Sequence, residues 1–384
     1  MKKNAFKLFI VTFILMSGIL FSCKRNHAHQ DDGIKIIKIE TEDKRIGNPI
    51  KIGEVIPLET SKDCLVGDVN KAVYWNNRII LLDQRGSKAL FIFDETGKLL
   101  FKTITGKGPG EVIAPYAFNI NKRDTTILLY DMMAVRFFRY DFNGKIVDSK
   151  TITTKTNLII NDFYSLGKDT LLIFHASRSD YSKDEPRRTT WSLLTDELSK
   201  VRQFNITLNQ NKQSFYVTNP AAVTTNQVLF VIPWCYDIYE LTGTDYKIKY
   251  TFDFGHAAFS AEEREGLPAT ELFQLMGQSK KVGCLVSVLS VNDLLIIDAA
   301  FGGGSQVFLH SLTKGRTINL DNYIQRGLLP ECRIWGIKED GCLYALVEPE
   351  DLMKFSELHP DFSHLEITIN SNPVLISFQI DDLF

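Results

Sequence analysis

Between Asn76 and Glu111 the chain reads NNRIILLDQRGSKALFIFDETGKLLFKTITGKGPGE, three short apolar runs separated by turn signals. The run RIILL ends at Asp83, and TILLY ends at Asp131, 48 residues on. FDETGK places Asp94, Gly97 and Lys98 where YDFNGK, 47 residues later, places Asp141, Gly144 and Lys145. Two independent landmarks with nearly one period indicate a repeat. Fainter copies follow at Leu171–Lys200, Val228–Lys247, Leu294–Arg316 and Cys342–Asp382, so six units of about 45–65 residues are expected.

Each unit has room for four strands and no crossover helices, since the gaps between apolar runs are only a few residues. In the first unit the pattern predicts strands over Val69–Trp75, Arg78–Asp83, Ala89–Asp94 and Leu99–Ile104, with Asn76-Asn77, Gly86-Ser87 and Thr96-Gly97 turning between them. A lone four-stranded sheet cannot cover both faces, so the units must stack. Radial stacking gives an all-β fold, a six-bladed β-propeller of four-stranded antiparallel blades. The earlier apolar segments Ile34–Ile39 and Lys51–Leu58 precede the first full unit, and one of them is expected to supply the outer strand of the last blade and close the ring.

Two stretches break the pattern. Ser260-Ala261-Glu262-Glu263 is a capping box ahead of the amphipathic ELFQLM, which predicts a short helical insertion between blades four and five. Pro349–Asn372 is a long insertion within the sixth unit.

The N-terminus changes the picture of where the fold works. Lys2, Lys3 and Lys7 precede an apolar run, Leu8–Phe21, too short to span a bilayer, and Leu20-Phe21-Ser22-Cys23 resembles a bacterial lipobox. The expected organisation is a signal peptide over 1–22, a lipidated Cys23 with a polar tether over 23–33, and one propeller domain over 34–384. Phe21 departs from the small or aliphatic residue usual at that place. Losing the leader removes three lysines and no acid, taking the formal charge from −2 to −5. With no Lys/Arg cluster, a nucleic-acid partner is not expected. Membrane attachment would run through lipid on Cys23. The five later cysteines, Cys64, Cys235, Cys284, Cys332 and Cys342, lack C-x-x-C spacing, which argues against a zinc site.

The lipobox, the stretch VIPLETSKDCLVGDVNKAVYWNNRIILLD (Val55–Asp83), FIFDETGKLL (Phe91–Leu100) and GKGPGE (Gly106–Glu111) together resemble the six-bladed β-propeller lipoproteins of Gram-negative gut anaerobes. The first two units carry the resemblance closely, and the later ones carry it in hydrophobic pattern. It implies a propeller in the cell envelope, at the outer membrane, facing the periplasm or the surface. It supplies no catalytic residues.

Candidate chemistry gathers where loops after second and fourth strands would share one face. GKGPGE reads as an anion-binding nest with Lys107, or as a tight joint between blades in which the glycines supply turn geometry; residue types alone favour the joint. Asp83, Asp131, His175, Asp298 and Glu348 stand at comparable second-strand ends. They are either a ring of ligands for Ca²⁺ or acceptors for turn N–H groups. Arg85, Arg178, Trp234, Tyr236 and Phe301 follow those ends and offer the stacking planes and charges of a sugar or peptide site, or else inter-blade packing. His256 and His310 lack H-x-H or HExxH partners, and no G-x-S-x-G elbow occurs. The leading expectation is therefore a lipid-anchored binding or scaffold module for glycan, peptide or an envelope protein, without a cofactor. The alternative is a lyase, hydrolase or lactonase-type enzyme with an acidic, Ca²⁺-holding channel mouth.

Overall fold

Adjacent residues in the second and third strands of each unit are both buried, and their destinations explain why. In a computed structural model of the chain, Ile79 and Leu81 enter one apolar cluster with Trp335, Tyr344 and Leu346, while Ile80 and Leu82 enter another with Phe118, Ile120 and Leu129. The strand is thus sandwiched, each face packed against a different neighbouring sheet. A sandwiched strand reads as a continuous apolar run instead of an alternating one. Phe91 and Phe93 likewise point to one side and Leu90 and Ile92 to the other. Each such fully buried side chain contributes about 1.5–3 kcal/mol.

The structure describes residues 33–384 except 42–45, 47, 49, 153–157, 168–169, 178–188, 196–199, 205–216, 218, 225, 265–266, 268, 303, 339, 363 and 381–383. Cys23, Arg178 and the leader lie outside the described residues. Within Ile36–Phe384, one compact unit, six antiparallel sheets follow in chain order and form a six-bladed β-propeller. Blade one is β3 (Val69–Trp75), β4 (Arg78–Asp83), β5 (Ala89–Asp94) and β6 (Leu99–Lys102). Blade two runs from β7 (Pro115–Asn121) to β10 (Ile146–Thr151), and blade three from β11 (Leu158–Ser165) to β14 (Lys200–Phe204). Blade four runs from β15 (Ala221–Val223) to β18 (Asp245–Asp253). Blade five is β19 (Val282–Val291), β20 (Leu294–Phe301), β21 (Gly304–Ser311) and β22 (Arg316–Asn319).

Blade six is built from both ends of the chain. Its sheet order is β2 (Lys51–Pro57), β25 (Val374–Gln379), β24 (Leu343–Val347) and β23 (Arg333–Ile337), so the expected closure by an early segment is met by Lys51–Pro57. A bulge between Ile52 and Val55 is stapled where the Glu54 N–H donates to Ser377 Oγ, 2.8 Å away. The other early segment does something the sequence did not announce: β1 (Lys35–Lys38) adds a fifth strand to the β18 edge of blade four. Ile37 and Ile39 are buried in the core there, and the Ile39 N–H donates to Asp253 O. The helical insertion between blades four and five is present as α1 (Ala261–Arg264) and α2 (Ala269–Ser279), and the Ser260–Glu263 capping box closes reciprocally as the sequence requires. Pro349–Asn372 carries the helix Pro349–Leu358.

Turn chemistry spaces the blades. In DETGK and DFNGK the aspartate Oδ1 accepts the N–H groups two and four residues on, and Gly97 and Gly144 take φ of 84° and 82°. A Cβ at Gly144 would lie 2.0 Å from the Phe101 ring of blade one. Gly144→Ala therefore meets both left-handed backbone strain and an inter-blade clash. It should lower unfolding stability by about 2–4 kcal/mol in urea titration; Gly315→Ala, at φ 61° with open space around it, should cost less.

Candidate functional site

First strands of neighbouring blades touch one another and form the inner ring, as β7 with β11, β15 with β19, and β23 with β3. Lys71 on β3 reaches across that ring to Asp162 on β11, with Nζ 2.8 and 3.0 Å from the two carboxylate oxygens. The pair is buried, with 9% and 11% of the two side chains exposed. Tyr164 donates its hydroxyl to Asp162 Oδ2 at 2.8 Å, and the Lys71 ammonium lies over the Tyr164 ring at 4.8 Å. A buried ion network therefore bridges blades one and three across the inner ring.

The predicted acidic ring resolves into two different kinds of carboxylate. Asp83, fully buried, accepts from the backbone N–H groups of Gly67, Arg85, Gly86 and Ser87 and from the Ser87 hydroxyl, all at 2.7–3.1 Å. Burial alone would raise its pKa, but these donors outweigh it and hold the carboxyl below the ordinary range. Asp131 accepts from Ile113, Ala114, Met133 and Ala134 in the same way. Both carboxylates tie the loop entering a blade to the turn after its second strand, and their lone pairs are spent there. His175, inside the strand Thr170–Ser177, contacts Ser192 Oγ at 2.7 Å through Nε2. Asp83, Asp131 and His175 do not converge, and among the described residues no group of three or more His, Cys, Asp or Glu is placed to hold a metal ion.

Asp298 and Glu348 are the other kind. Both line a cavity of about 410 Å³ between blades five and six that reaches the start of blade one at Asp68 and Val69. Asp298 is not at a strand end: β20 continues three residues past it. Its Oδ1 is closed off from bulk solvent and has no hydrogen-bond partner, while the Ser305 side chain bonds to the carboxyl. Burial pushes its pKa up to about 6, against the pull of Ser305 and of Arg333. Glu348 is the N-cap of the helix Pro349–Leu358 at the rim, and its carboxylate accepts no hydrogen bond from the helix N–H groups. Desolvation, then Asp351 and Asp68, raise its carboxyl. Arg333 crosses the wall with its guanidinium 4.3 Å from the centre of the Trp335 ring.

The remaining predicted ligand residues are placed as follows. Arg85 is exposed and pairs with Asp68 at 3.5 Å, which sets it at the edge of this cavity. Trp234 is buried at φ 64°, with its carbonyl accepting from Arg264 Nη1 at 2.6 Å. Tyr236 spends its hydroxyl on the insertion, donating to Val282 O at 2.7 Å and accepting from Phe259 N at 2.9 Å. Phe301 packs against the core between blades four and five. Tyr236 and Phe301 pack against the cluster shared by blades four and five, and Trp234 is buried. Lys107 is exposed, and the nest beside it is already occupied, since Glu111 Oε2 accepts from Gly108 N at 2.6 Å and a Cβ at Gly106 would lie 2.0 Å from it. GKGPGE is a joint.

The repeat marks second-strand ends and gives no sign of Arg333, Trp335, Ser287 or Ser305, because two of the cavity's walls are first strands. The R-x-W spacing on β23, which sets both side chains on one face, was the available signal.

Residues 36–379 match the family described as Domain of unknown function (DUF4934). The chain belongs to that family. No curated protein matches this DUF4934 member. Among solved structures it is similar to BF0058 of Bacteroides fragilis NCTC 9343, named as a candidate exported protein. That likeness has 16% identity and a TM-score of 0.69, covering 90% of this chain and 99% of the other. A DUF4221 family member from Bacteroides vulgatus ATCC 8482 is similar at 8% identity and a TM-score of 0.51, covering 87% and 99%. Both likenesses concern the fold. No helix among the described residues is long and apolar enough to cross a membrane.

Proposed function

We propose that this DUF4934 propeller is an exported, lipid-anchored binding module of the cell envelope, and that the cavity between blades five, six and one is where it takes a small glycan or peptide ligand. The observation that carries the reading is the cavity itself: about 410 Å³, with serines, carboxylates and an arginine in a partly apolar wall. Export is supported by the leader, the lipobox at Cys23 and the name given to the Bacteroides fragilis neighbour. The tether after Cys23 would hold the domain at the membrane surface.

The test is binding of the purified protein to glycan and peptide arrays, with Ser305→Trp as the blocked form. Ser305 is exposed at the cavity wall, so the tryptophan fills space without cutting the core. The expected result is saturable binding that falls at least tenfold in Ser305→Trp, in a variant that still unfolds in one cooperative transition. Wild-type protein that binds nothing, or a blocked form that binds as well, overturns the reading. Trp234→Ala is the wrong probe, because Trp234 is buried and its loss would act through stability.

A second reading, an enzyme of lyase, hydrolase or lactonase type, is favoured by one feature. One cavity lined by a carboxyl that burial raises to about 6 and by a second raised one holds equipment for general acid–base catalysis.

A further inference from the structure

Among the described residues, large apolar side chains stand exposed in connections at one end of the propeller and in none of the turns at the other. Around blade six, Leu65 lies between β2 and β3, Leu328 between β22 and β23, and Met353, Leu358 and Ile369 between β24 and β25. Leu358 and Ile369 are 69% and 67% exposed. Each of these connections follows a second or a fourth strand, which puts all three at the same end of the sheets. The short turns at the opposite end, such as Asn76-Asn77, Asn292-Asp293 and Thr313–Gly315, expose no such side chain. Single exposed apolar residues need no explanation, but several gathered on neighbouring connections mark an interaction surface.

These side chains are held in place. The helix Pro349–Leu358 buries Leu352 and Phe355 in the core of blades five and six, and Phe355 stacks on His359 with ring centres 4.1 Å apart. His359 Nε2 lies 2.7 Å from Gly327 O, and a Cβ at Gly327 would lie 3.2 Å from Leu358 Cδ1, so Leu358 sits over the residue beside Leu328. At the end of the insertion, buried Asn372 donates to Glu59 O and Cys64 O and accepts from Val66 N. That ties the turn carrying Ile369 to the loop carrying Leu65. A surface fixed in advance loses little conformational freedom when it is covered.

The same connections are strongly acidic. Residues 58–68, 320–332 and 349–372 hold ten aspartates and glutamates against Lys62, Arg326 and Lys354, a formal −7 in a chain whose total is −2. Lys354 is taken by Glu350 and Asp351, at 2.9 and 3.3 Å. Glu357, Asp361 and Glu366 stand exposed, with no ion pair among the described residues.

We propose that this end of blade six is a docking surface for a partner-protein segment that combines apolar side chains with lysines or arginines, as an amphipathic basic helix does. It goes beyond the cavity and does not depend on the cavity's ligand. Charge decides among the occupants. A second copy facing through the same surface would set like charge against like, and an anionic lipid surface would be repelled in the same way. A basic amphipathic segment lays its apolar face on Leu328 and Leu358 and its cations beside Glu357 and Asp361.

Fluorescence anisotropy of a labelled Leu/Lys amphipathic helical peptide at physiological salt tests this, with Leu/Glu and Ser/Lys peptides of the same pattern as controls. Saturable binding of the Leu/Lys peptide supports the proposal if it is at least tenfold weaker in Leu358→Ser and in Glu357→Lys combined with Asp361→Lys, and kept in Ser305→Trp. The substituted side chains are exposed, so these variants should unfold at the wild-type urea midpoint, and lost binding is then not lost folding. A Ser/Lys peptide that binds as tightly leaves only a field of charge and overturns the docking surface. A Leu/Glu peptide that binds as tightly, or no peptide binding at all, overturns it too. Sedimentation showing a dimer that Leu358→Ser abolishes assigns the surface to a second copy, and flotation with phosphatidylglycerol vesicles that the same variant abolishes assigns it to the membrane; either result overturns the proposal. Array ligands bound by wild type and lost in Ser305→Trp keep the cavity reading whatever the peptides do.

Discussion

Asp83→Ala should lower the unfolding free energy by about 3–5 kcal/mol, measured by urea titration at pH 7, which is among the larger effects a single substitution produces. The size follows from the number of donors stranded. Gly67, Arg85, Gly86 and Ser87 all point backbone N–H groups at one buried carboxylate. An unsatisfied buried donor costs about 1–3 kcal/mol, and partial entry of water keeps the total below the sum. Asp83→Asn should recover little, because one side of the amide turns its own N–H₂ toward donors. A Cβ at Gly86 would sit 2.7 Å from Asp83 Oδ2, so the turn cannot relax around a larger residue either. A loss below about 1 kcal/mol would mean that the carboxylate is not what holds the loop to the turn.

The same site sets a pH signature. Its folded pKa is depressed, so its contribution is fully present above the unfolded aspartate value of about 3.9 and is lost as pH falls through the folded value. The difference between wild type and Asp83→Ala should therefore shrink as titrations are repeated from pH 5 toward pH 3. Asp298 has the opposite sign: its raised pKa means that charging it costs stability as pH climbs from about 4 to 6.

That contrast marks the border of what the sequence disclosed. Blade number and strand order were legible because RIILLD-like runs recur about every 45–65 residues, and a sandwiched strand can be apolar on both faces only if sheets stack on either side. The roles of the acids were not legible, because they depend on which loop comes back to meet them. Asp83 precedes Gln-Arg-Gly-Ser, a turn that offers N–H groups, whereas Asp298 precedes Ala-Ala-Phe, which stays in the strand and offers none. The residues after each aspartate carried that distinction, but its consequence, a carboxylate in the wall of a cavity, required knowing that β23 of the next blade brings Arg333 alongside. The fifth strand on blade four was hidden for a similar reason: KIIK has strand character, but nothing in it names β18 as its partner.

Lys71→Met should cost about 3–5 kcal/mol, because it leaves Asp162 charged and enclosed with only Tyr164 and the Phe163 N–H to satisfy it. Sequence position gives no hint of the pairing, 91 residues apart and two blades away. What it offers is a lone charge in each of two inner strands, VNKAVYW and LIINDFYS, where neighbouring positions are apolar. Removing both charges is the informative step. Lys71→Met with Asp162→Leu should be more stable than Lys71→Met alone, since replacing a buried ion pair by apolar groups is often neutral whereas halving it is not. Tyr164 limits the recovery: burial first, then Asp162, hold its pKa well above the usual range, so its hydroxyl stays a donor and loses its acceptor in the double variant. Salt should change these differences little, because the pair is screened by protein and not by solvent ions. A double variant no more stable than Lys71→Met would show that the network holds the inner ring through hydrogen bonding to Asp162 and not through the balance of charge.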